Sequence, residues 1–426
     1  MNASHLSHRL LAFGAAVLLQ AAALGAATGE PLSLEEALRL ALENNPRLRA
    51  QSERLEAGAG RAAQLRRWSN PELSFEAEDW PRQGGRGFRD AKQTVGISQT
   101  IPLPGKKALD REIGAAAQRG GQAGLEAFRL ELRRELKIAY GRVLVAERSL
   151  EVTEKLHRVA AEAARAAQGR VRAGAGALQE QLRAELLEEQ AGASVTEQRS
   201  ALGAARGALA TLLGQDDLGE RPLTGKLPET ADETLLRAAE GGLGRHPSLG
   251  AAEAERDRTE MAHRRARLET VPDPSVGLSA GRVGSTGESI IGVRISVPLP
   301  ILDGGAARRQ ETRAEANAAV AELRATRQAL ERERATALQR YRLALQQCEL
   351  FRTRLLPKSG EATRLVSLGF EQGKFGINDL LETQRTHSEL QLGHLGKLQE
   401  LNEAQATLEA LCGAATTTGA APDRQG

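Results

Sequence analysis

PGKKALDREIGAAAQRGGQAGLEAFRLELRRELKIAYGRVLVAERSLEVTEKLHRVAAEAARAAQGRVRAG, running from Pro104 to Gly174, is the stretch that decides the fold. After Pro104 it contains no proline. Leu125, Phe128, Leu132, Leu136, Ala139, Val143, Ala146 and Leu150 advance by threes and fours. Their mean step is close to the ~3.5 of a coiled-coil seam and far from the 2 of a strand. At 1.5 Å per residue, one unbroken helix of this length reaches roughly 100 Å. A soluble globule of this size has little use for such a strut, whereas a tube crossing a compartment does.

Upstream of this helix the period changes. Asn70-Pro71 stops helical sequence that reaches Trp68, and Leu73, Phe75 and Ala77 then alternate with Glu72, Ser74, Glu76 and Glu78, the patterning of a strand. A loop with Gly84, Gly85 and Gly87 follows. In a second alternating run, Val95, Ile97 and Ile101 take one face and Thr94, Ser98 and Thr100 the other, before Pro102-Leu103-Pro104-Gly105 ends it. Ser33-Leu34-Glu35-Glu36 opens the first helix as a capping box, the hydroxyl on the third amide and Glu36 reaching back. Downstream, Ala173-Gly174-Ala175-Gly176 reads as a hairpin tip, and Leu178 to Leu213 as a returning helix.

The same grammar then recurs, displaced by about 200 residues, which marks an internal duplication. His246-Pro247 answers Asn45-Pro46, Asp273-Pro274 answers Asn70-Pro71, and Val297-Pro298-Leu299-Pro300 answers Ile101-Pro102-Leu103-Pro104. Tyr341 answers Tyr140, and Gly373 answers Gly174. The expected layout is a first repeat over 28–214, with strand pair 70–101, long helix 105–173 and return helix 177–213. A linker over 215–230 leads to a second repeat over 231–412, with strand pair 273–298, long helix 303–372 and return helix 377–411. Residues 413–426 read as a disordered tail.

Residues 1–27 read as an export signal. Arg9 closes a weakly basic start, Leu10 to Leu24 is apolar and alanine-rich, and cleavage is expected after Ala26 or Ala27. With no Cys in that zone, no lipid on the mature amino terminus is expected. The chain carries 58 Lys and Arg against 55 Asp and Glu, a balance that gives no basis for nucleic-acid binding. Cys348 and Cys412 are compatible with either a disulfide or two buried thiols. Gly105-Lys106 lacks the upstream glycine of a phosphate loop, and no nucleophile or paired-carboxylate constellation marks an enzyme. His387 and His394 lie two turns apart on one helix, too far for one metal ion without other ligands, so neither a metal site nor a cofactor is expected.

Each chain thus has four strands of roughly ten residues, the span of a membrane barrel strand. Four cannot close a cylinder, and open edges cannot face lipid. Either these strands form an ordinary soluble sheet, or several copies complete one barrel. Eight strands leave little interior space and twelve leave a pore.

In these features the chain resembles the TolC-like outer-membrane efflux family. The pieces that carry the resemblance are Ser33-Leu34-Glu35-Glu36-Ala37 with Asn45-Pro46, Asn70-Pro71-Glu72-Leu73, and Ile97 to Lys106. Val297 to Pro300, and Gly373 with Asp379-Leu380-Leu381-Glu382, add to them. The first strand pair and its Pro-Gly-Lys exit are most similar to the heavy-metal branch, the cobalt–zinc–cadmium efflux proteins. The resemblance implies a mainly α fold of long coiled-coil hairpins forming a periplasmic tunnel. It implies a homotrimer whose four strands per copy make a twelve-stranded outer-membrane barrel set in outer-membrane lipid. Its partners would be a periplasmic adaptor and an inner-membrane pump of the resistance-nodulation-division type, and its task the passive export of heavy-metal cations. A periplasmic adaptor, or a structural coiled-coil protein of such an assembly, is the alternative.

The resemblance also carries site residues. Asp379 and Glu382 match positions where relatives place acidic rings in the tunnel mouth, and i, i+3 spacing puts both on one helix face. Glu180 matches an acidic position that pairs with a basic residue of the second tip. Here that position holds Phe375, with Lys374 beside it as a substitute. Gly174, Gly176, Gly373, Phe375 and Gly376 would meet the adaptor. If Leu73, Phe75 and Ala77 face lipid, Glu72, Glu76 and Glu78 face the lumen.

Overall fold

The computed structural model describes residues 31–79, 87–219, 221–243 and 246–412. The expected signal, the loop glycines Gly84 and Gly85 and the expected tail lie outside the described residues. The chain begins with helices α1 (Leu34–Asn44) and α2 (Pro46–Arg66), strands β1 (Glu72–Glu78) and β2 (Lys92–Thr100), and helices α3 (Pro104–Arg172), α4 (Leu178–Leu213) and α5 (Glu233–Glu240). It continues through α6 (Pro247–Arg267), β3 (Ser275–Val283), β4 (Ser289–Ser296), α7 (Ala306–Leu350), α8 (Leu356–Glu371) and α9 (Ile377–Leu411). No helix among the described residues is long and apolar enough to cross a membrane.

The chain divides into two compact units that cut across the duplication. One takes Arg49–Phe128 and Arg245–Arg332, and so holds the strands of both repeats. The other takes Met1–Leu48, Arg129–Gly244 and Glu333–Gly426, and holds both hairpin tips.

In the strand unit the four strands form one antiparallel sheet in the order β1-β2-β3-β4. Leu73, Ile97, Leu278 and Val293 share one row across it, and Phe75, Val95, Ala280 and Ile291 the next. All of these side chains are exposed, the larger ones from 52% at Val95 and Ile97 to 87% at Ile291. Glycine fills positions of the opposite face where the sheet leaves no room. A Cβ on Gly281 would lie 2.0 Å from the Gln93 carbonyl oxygen, and one on Gly292 2.7 Å from Ser279 Oγ.

The passage from strand to helix is locked by Lys106, buried to 3% exposure. Its Nζ lies 2.9 Å from Asp273 Oδ1 and donates to the Val271 carbonyl at 2.6 Å. Asp273 also accepts the Leu103 N–H at 3.0 Å. Burial works to raise the Asp273 pKa. The Lys106 and Leu103 hydrogen bonds and the charges of Lys106 and Arg265 outweigh it, so the carboxyl sits below its usual range. Both residues come from the proline punctuation of the two repeats, Pro-Gly-Lys in the first and Asp-Pro in the second.

In the tip-bearing unit, Asn45 works in two directions. Its Oδ1 caps α2 by accepting Arg47 and Leu48 N–H, and its Nδ2 donates to the Leu212 carbonyl at the end of α4. Beside it Gly214 closes α4 at φ 70°, where a Cβ would lie 2.4 Å from the Asn44 carbonyl oxygen. In the strand unit His246 caps α6 in the same manner, Nδ1 accepting Ser248 N–H. The two tyrosines hold connections to the long helices. Tyr140 donates to the carbonyls of Leu32 and Thr224, and Tyr341 accepts the Asp232 N–H.

The structure departs from several expectations. Within the expected linker, Leu223 bridges to Leu32. The expected capping box is half made, because Ser33 Oγ accepts Glu36 N–H while the Glu36 carboxylate turns to Arg221, at 2.9 and 3.0 Å. A buried-side guanidinium offers two charged donors where the Ser33 backbone offers one neutral one. The second long helix breaks into α7 and α8 at a π-helical turn, Phe351–Leu355, just before Pro357, which has no N–H to give a preceding carbonyl. Cys348 and Cys412 are unpaired, and burial, followed by the charges of Glu400 and Glu229, pushes the Cys348 thiol up to about 11.

Two outcomes follow for the strand unit. Lys106→Met leaves a partly buried carboxylate without its cation and costs about 3 kcal/mol of folding stability. Because the Asp273 pKa is depressed, its contribution is present above the ordinary value near ~3.9 and is lost as pH falls through the lower folded value. Melting temperatures in detergent between pH 5 and 2 will therefore fall less steeply for Lys106→Met than for wild type. Gly281→Ala forces β2 and β3 apart and lowers stability by about 1–3 kcal/mol, read as a lower melting temperature of the folded protein.

Candidate functional site

The polar face of the sheet carries the first set of functional side chains. Glu72, Ser98, Gly277 and Arg294 form one row, Ser74, Gly96, Ser279 and Gly292 the next, and Glu76, Thr94, Gly281 and Ile290 a third. Glu78 and Lys92 pair at 3.4 Å above them. Arg294 on β4 grips Glu76 on β1 with two bonds, Nη1 to Oε1 at 2.8 Å and Nη2 to Oε2 at 2.7 Å. These are the first and last strands of the sheet. Three strand spacings of about 4.8 Å separate them in a flat sheet, and side chains on a convex face would diverge. The bond therefore fixes the sense of curvature: the polar face is concave and the apolar rows face outward. The alternation of β1 puts its glutamates on the face opposite Leu73 and Phe75, but nothing in the sequence signals their partner on β4.

The tips of the two hairpins are built by one device. Gly174 and Gly373 adopt φ 70° and 73°. The following residue bonds back across the helix end, Ala175 N–H to the Arg170 carbonyl and Lys374 N–H to the Gly369 carbonyl. This is the glycine-closed helix ending in which the left-handed residue satisfies the last carbonyls. Gly176 lies tight against α3, where a Cβ would meet Arg170 Cβ at 3.0 Å. The Phe375 ring lies over Gly369, whose Cβ would fall 2.2 Å from it. Beneath the tips the core is nearly all small residues: Ala160, Ala163, Ala164, Ala167, Ala184 and Ala191, with Ile377 and Leu381 of α9.

The acidic residues of the tips have separate surroundings. Asp379 Oδ2 accepts the Gly376 N–H at 3.0 Å, so this carboxylate caps the start of its own helix. Glu382 is exposed one turn further along the same helix. Glu180 faces Arg170 of its own hairpin at 3.8 Å. Arg170 stands on the last turn of the adjoining helix. Sequence reasoning missed Arg170 and the capping role of Asp379, although an acid three residues after a glycine at a helix start is a visible signal.

Of the two histidines on α9, His387 Nδ1 lies 2.8 Å from Ser359 Oγ, and His394 stacks on Phe351. Burial pushes both below the ordinary range, helped at His387 by Lys155. Among the described residues no group of three or more His, Cys, Asp or Glu could hold a metal ion.

Comparison with known proteins gives this geometry a context. The sequence matches the family described as outer membrane efflux protein over residues 37–215 and 241–414. It is 27% identical over 385 residues to the cobalt-zinc-cadmium resistance protein CzcC of Cupriavidus metallidurans strain CH34, covering 90% of each chain. It is 28% identical to the nickel-cobalt-cadmium resistance protein NccC of Alcaligenes xylosoxydans xylosoxydans, over 67% of this chain and 65% of that one. The Campylobacter jejuni CmeC outer membrane channel shares the fold, with a TM-score of 0.74 at 16% identity over 89% of this chain and 85% of that one. With both repeats matched, and with a sheet whose apolar face looks outward, the chain belongs to the outer membrane efflux protein family and is a TolC-like efflux channel of the outer membrane.

Proposed function

We propose that three copies of this chain close one twelve-stranded barrel and serve as the passive outer-membrane conduit of a proton-driven pump for heavy-metal cations. The observation that carries the reading is the four-stranded sheet itself: apolar rows face outward, polar rows face inward, and β1 and β4 are left as open edges. Channels of this family are trimeric conduits that work with adaptors and inner-membrane pumps. For this chain we assign a periplasmic adaptor and a resistance-nodulation-division type pump as partners. The metal cargo is supported by the names of CzcC and NccC, which are resistance proteins for cobalt, zinc and cadmium and for nickel, cobalt and cadmium.

At the tips, Asp379 and Glu382 from three copies would gather negative potential at the tunnel mouth and favour cations. Glu180 and Lys374 would form part of the same gate, meeting side chains of neighbouring copies. The turn residues Gly174, Gly176, Gly373, Phe375 and Gly376 would present backbone and one aromatic ring to the adaptor.

Deleting the gene is expected to lower tolerance to zinc, cobalt, cadmium or nickel, with antibiotic tolerance unchanged and full recovery from a plasmid copy. Equal tolerance to every metal would remove the cargo while leaving the channel. A purified chain that stays monomeric in detergent would remove the barrel. Glu382→Gln removes an exposed charge and shifts folding stability by less than about 0.5 kcal/mol. Its plasmid copy is expected to restore outer-membrane trimers but only part of the metal tolerance.

A further inference from the structure

We propose that Arg294 and Glu76 form a tie across the barrel lumen, so that three such ties narrow the bore and set its ion preference. The inference rests on the twelve-stranded reading above and assigns it a constriction within the barrel, far in sequence from the hairpin tips.

Four features support the tie. The bond is bidentate, at 2.7 and 2.8 Å, so it holds a defined geometry. It joins the two outermost strands of one copy's arc, and a bond between such strands must run through the enclosed space as a chord. The surface beneath it carries only small residues, since Ser74, Thr94, Gly96, Gly277, Ser279 and Gly292 separate the partners. Lastly, Arg294 stands in register with Glu72 yet bonds Glu76, two same-face rows and so four residues further along β1. The nearer carboxylate in the row is passed over for a diagonal reach.

The chord changes both the width and the charge of the passage. Glu72, Glu76, Glu78, Lys92 and Arg294 are the charged strand residues on the concave face, three negative and two positive. With Glu78 on Lys92 and Glu76 on Arg294, Glu72 supplies the uncompensated charge of each copy. Breaking the tie from either side opens the bore, but the two sides leave opposite charges behind. Loss of Arg294 frees a carboxylate in the lumen, and loss of Glu76 frees a guanidinium. A closed ring also places β4 beside β1 of the next copy. An Arg294 bond made there would run along the wall and leave the bore open, so conductance separates the two arrangements.

The test is single-channel recording of the full chain in planar bilayers across a KCl gradient. Arg294→Gln and Glu76→Gln are each expected to raise conductance about twofold, with reversal potentials moving in opposite directions, toward cations for the first and toward anions for the second. The double variant Glu76→Gln with Arg294→Gln keeps the wide bore with a wild-type reversal potential. The exchange Glu76→Arg with Arg294→Glu restores the narrow one. Variants that form trimers with wild-type conductance would overturn the tie while leaving the channel intact. A wild-type chain that forms no trimer would overturn the channel and the tie with it.

Discussion

A strand edge in hydrocarbon carries amide and carbonyl groups that only another strand can satisfy, each unmet group costing several kcal/mol. This chain has two such edges, β1 and β4, on a sheet with two outward rows built of Leu, Ile, Val and Phe around Ala280. The apolar rows and the open edges make opposite demands on water. The side chains are best removed from it, and the edges tolerate that only if they are paired. Repetition of the same arc resolves the conflict. The concave sense fixed by Arg294 and Glu76 is the sense such closure requires, with polar residues inside and apolar ones outside.

Duplication supplied the parts, and the two halves have kept the backbone chemistry better than the side chains. Both tips close with a glycine at positive φ and the same backward hydrogen bond. Asn45 and His246 cap their helices with different atoms, an amide oxygen and an imidazole nitrogen, at the same step before a proline. The Tyr140 hydroxyl donates, its one proton shared between two carbonyls, whereas Tyr341 accepts, so the matched residue pins its connection with reversed polarity. At the junction with the sheet the halves contribute unlike charges to one contact, Lys106 from the first and Asp273 from the second. Their counterparts in the other repeat, Asn70 and Leu302, carry no charge.

What was legible in the sequence was what depends on period and punctuation. The alternation in Glu72 to Glu78, the heptad-like run through α3 and the glycines at the tips each determine local backbone, and the backbone followed them. Pairings that depend on how elements come together were not legible. Glu36 sits where a capping box wants it, yet Arg221, far along the chain, takes its carboxylate. Glu180 was paired with the second tip by resemblance, but a residue of its own hairpin reaches it. Arg294 could be placed on the inner face from its position in β4. Its partner could not, because a bond from the last strand to the first exists only once the sheet curls.

For a passage that must release what it admits, this wall chemistry has a logic. Cobalt, zinc and cadmium are held firmly by imidazole and thiolate, and only loosely by hydroxyl and carboxylate oxygen. The concave face offers Ser, Thr and Glu oxygens over a glycine floor, a surface that can attract a cation by charge without replacing its hydration shell. The thiol of Cys348 is removed from such chemistry by burial, which keeps it protonated, and His387 is engaged with Ser359. Conduction needs sites that bind well enough to admit an ion and weakly enough to let it leave. A wall of oxygens with a small negative excess meets that condition, and the tie between Arg294 and Glu76 sets how far the excess extends.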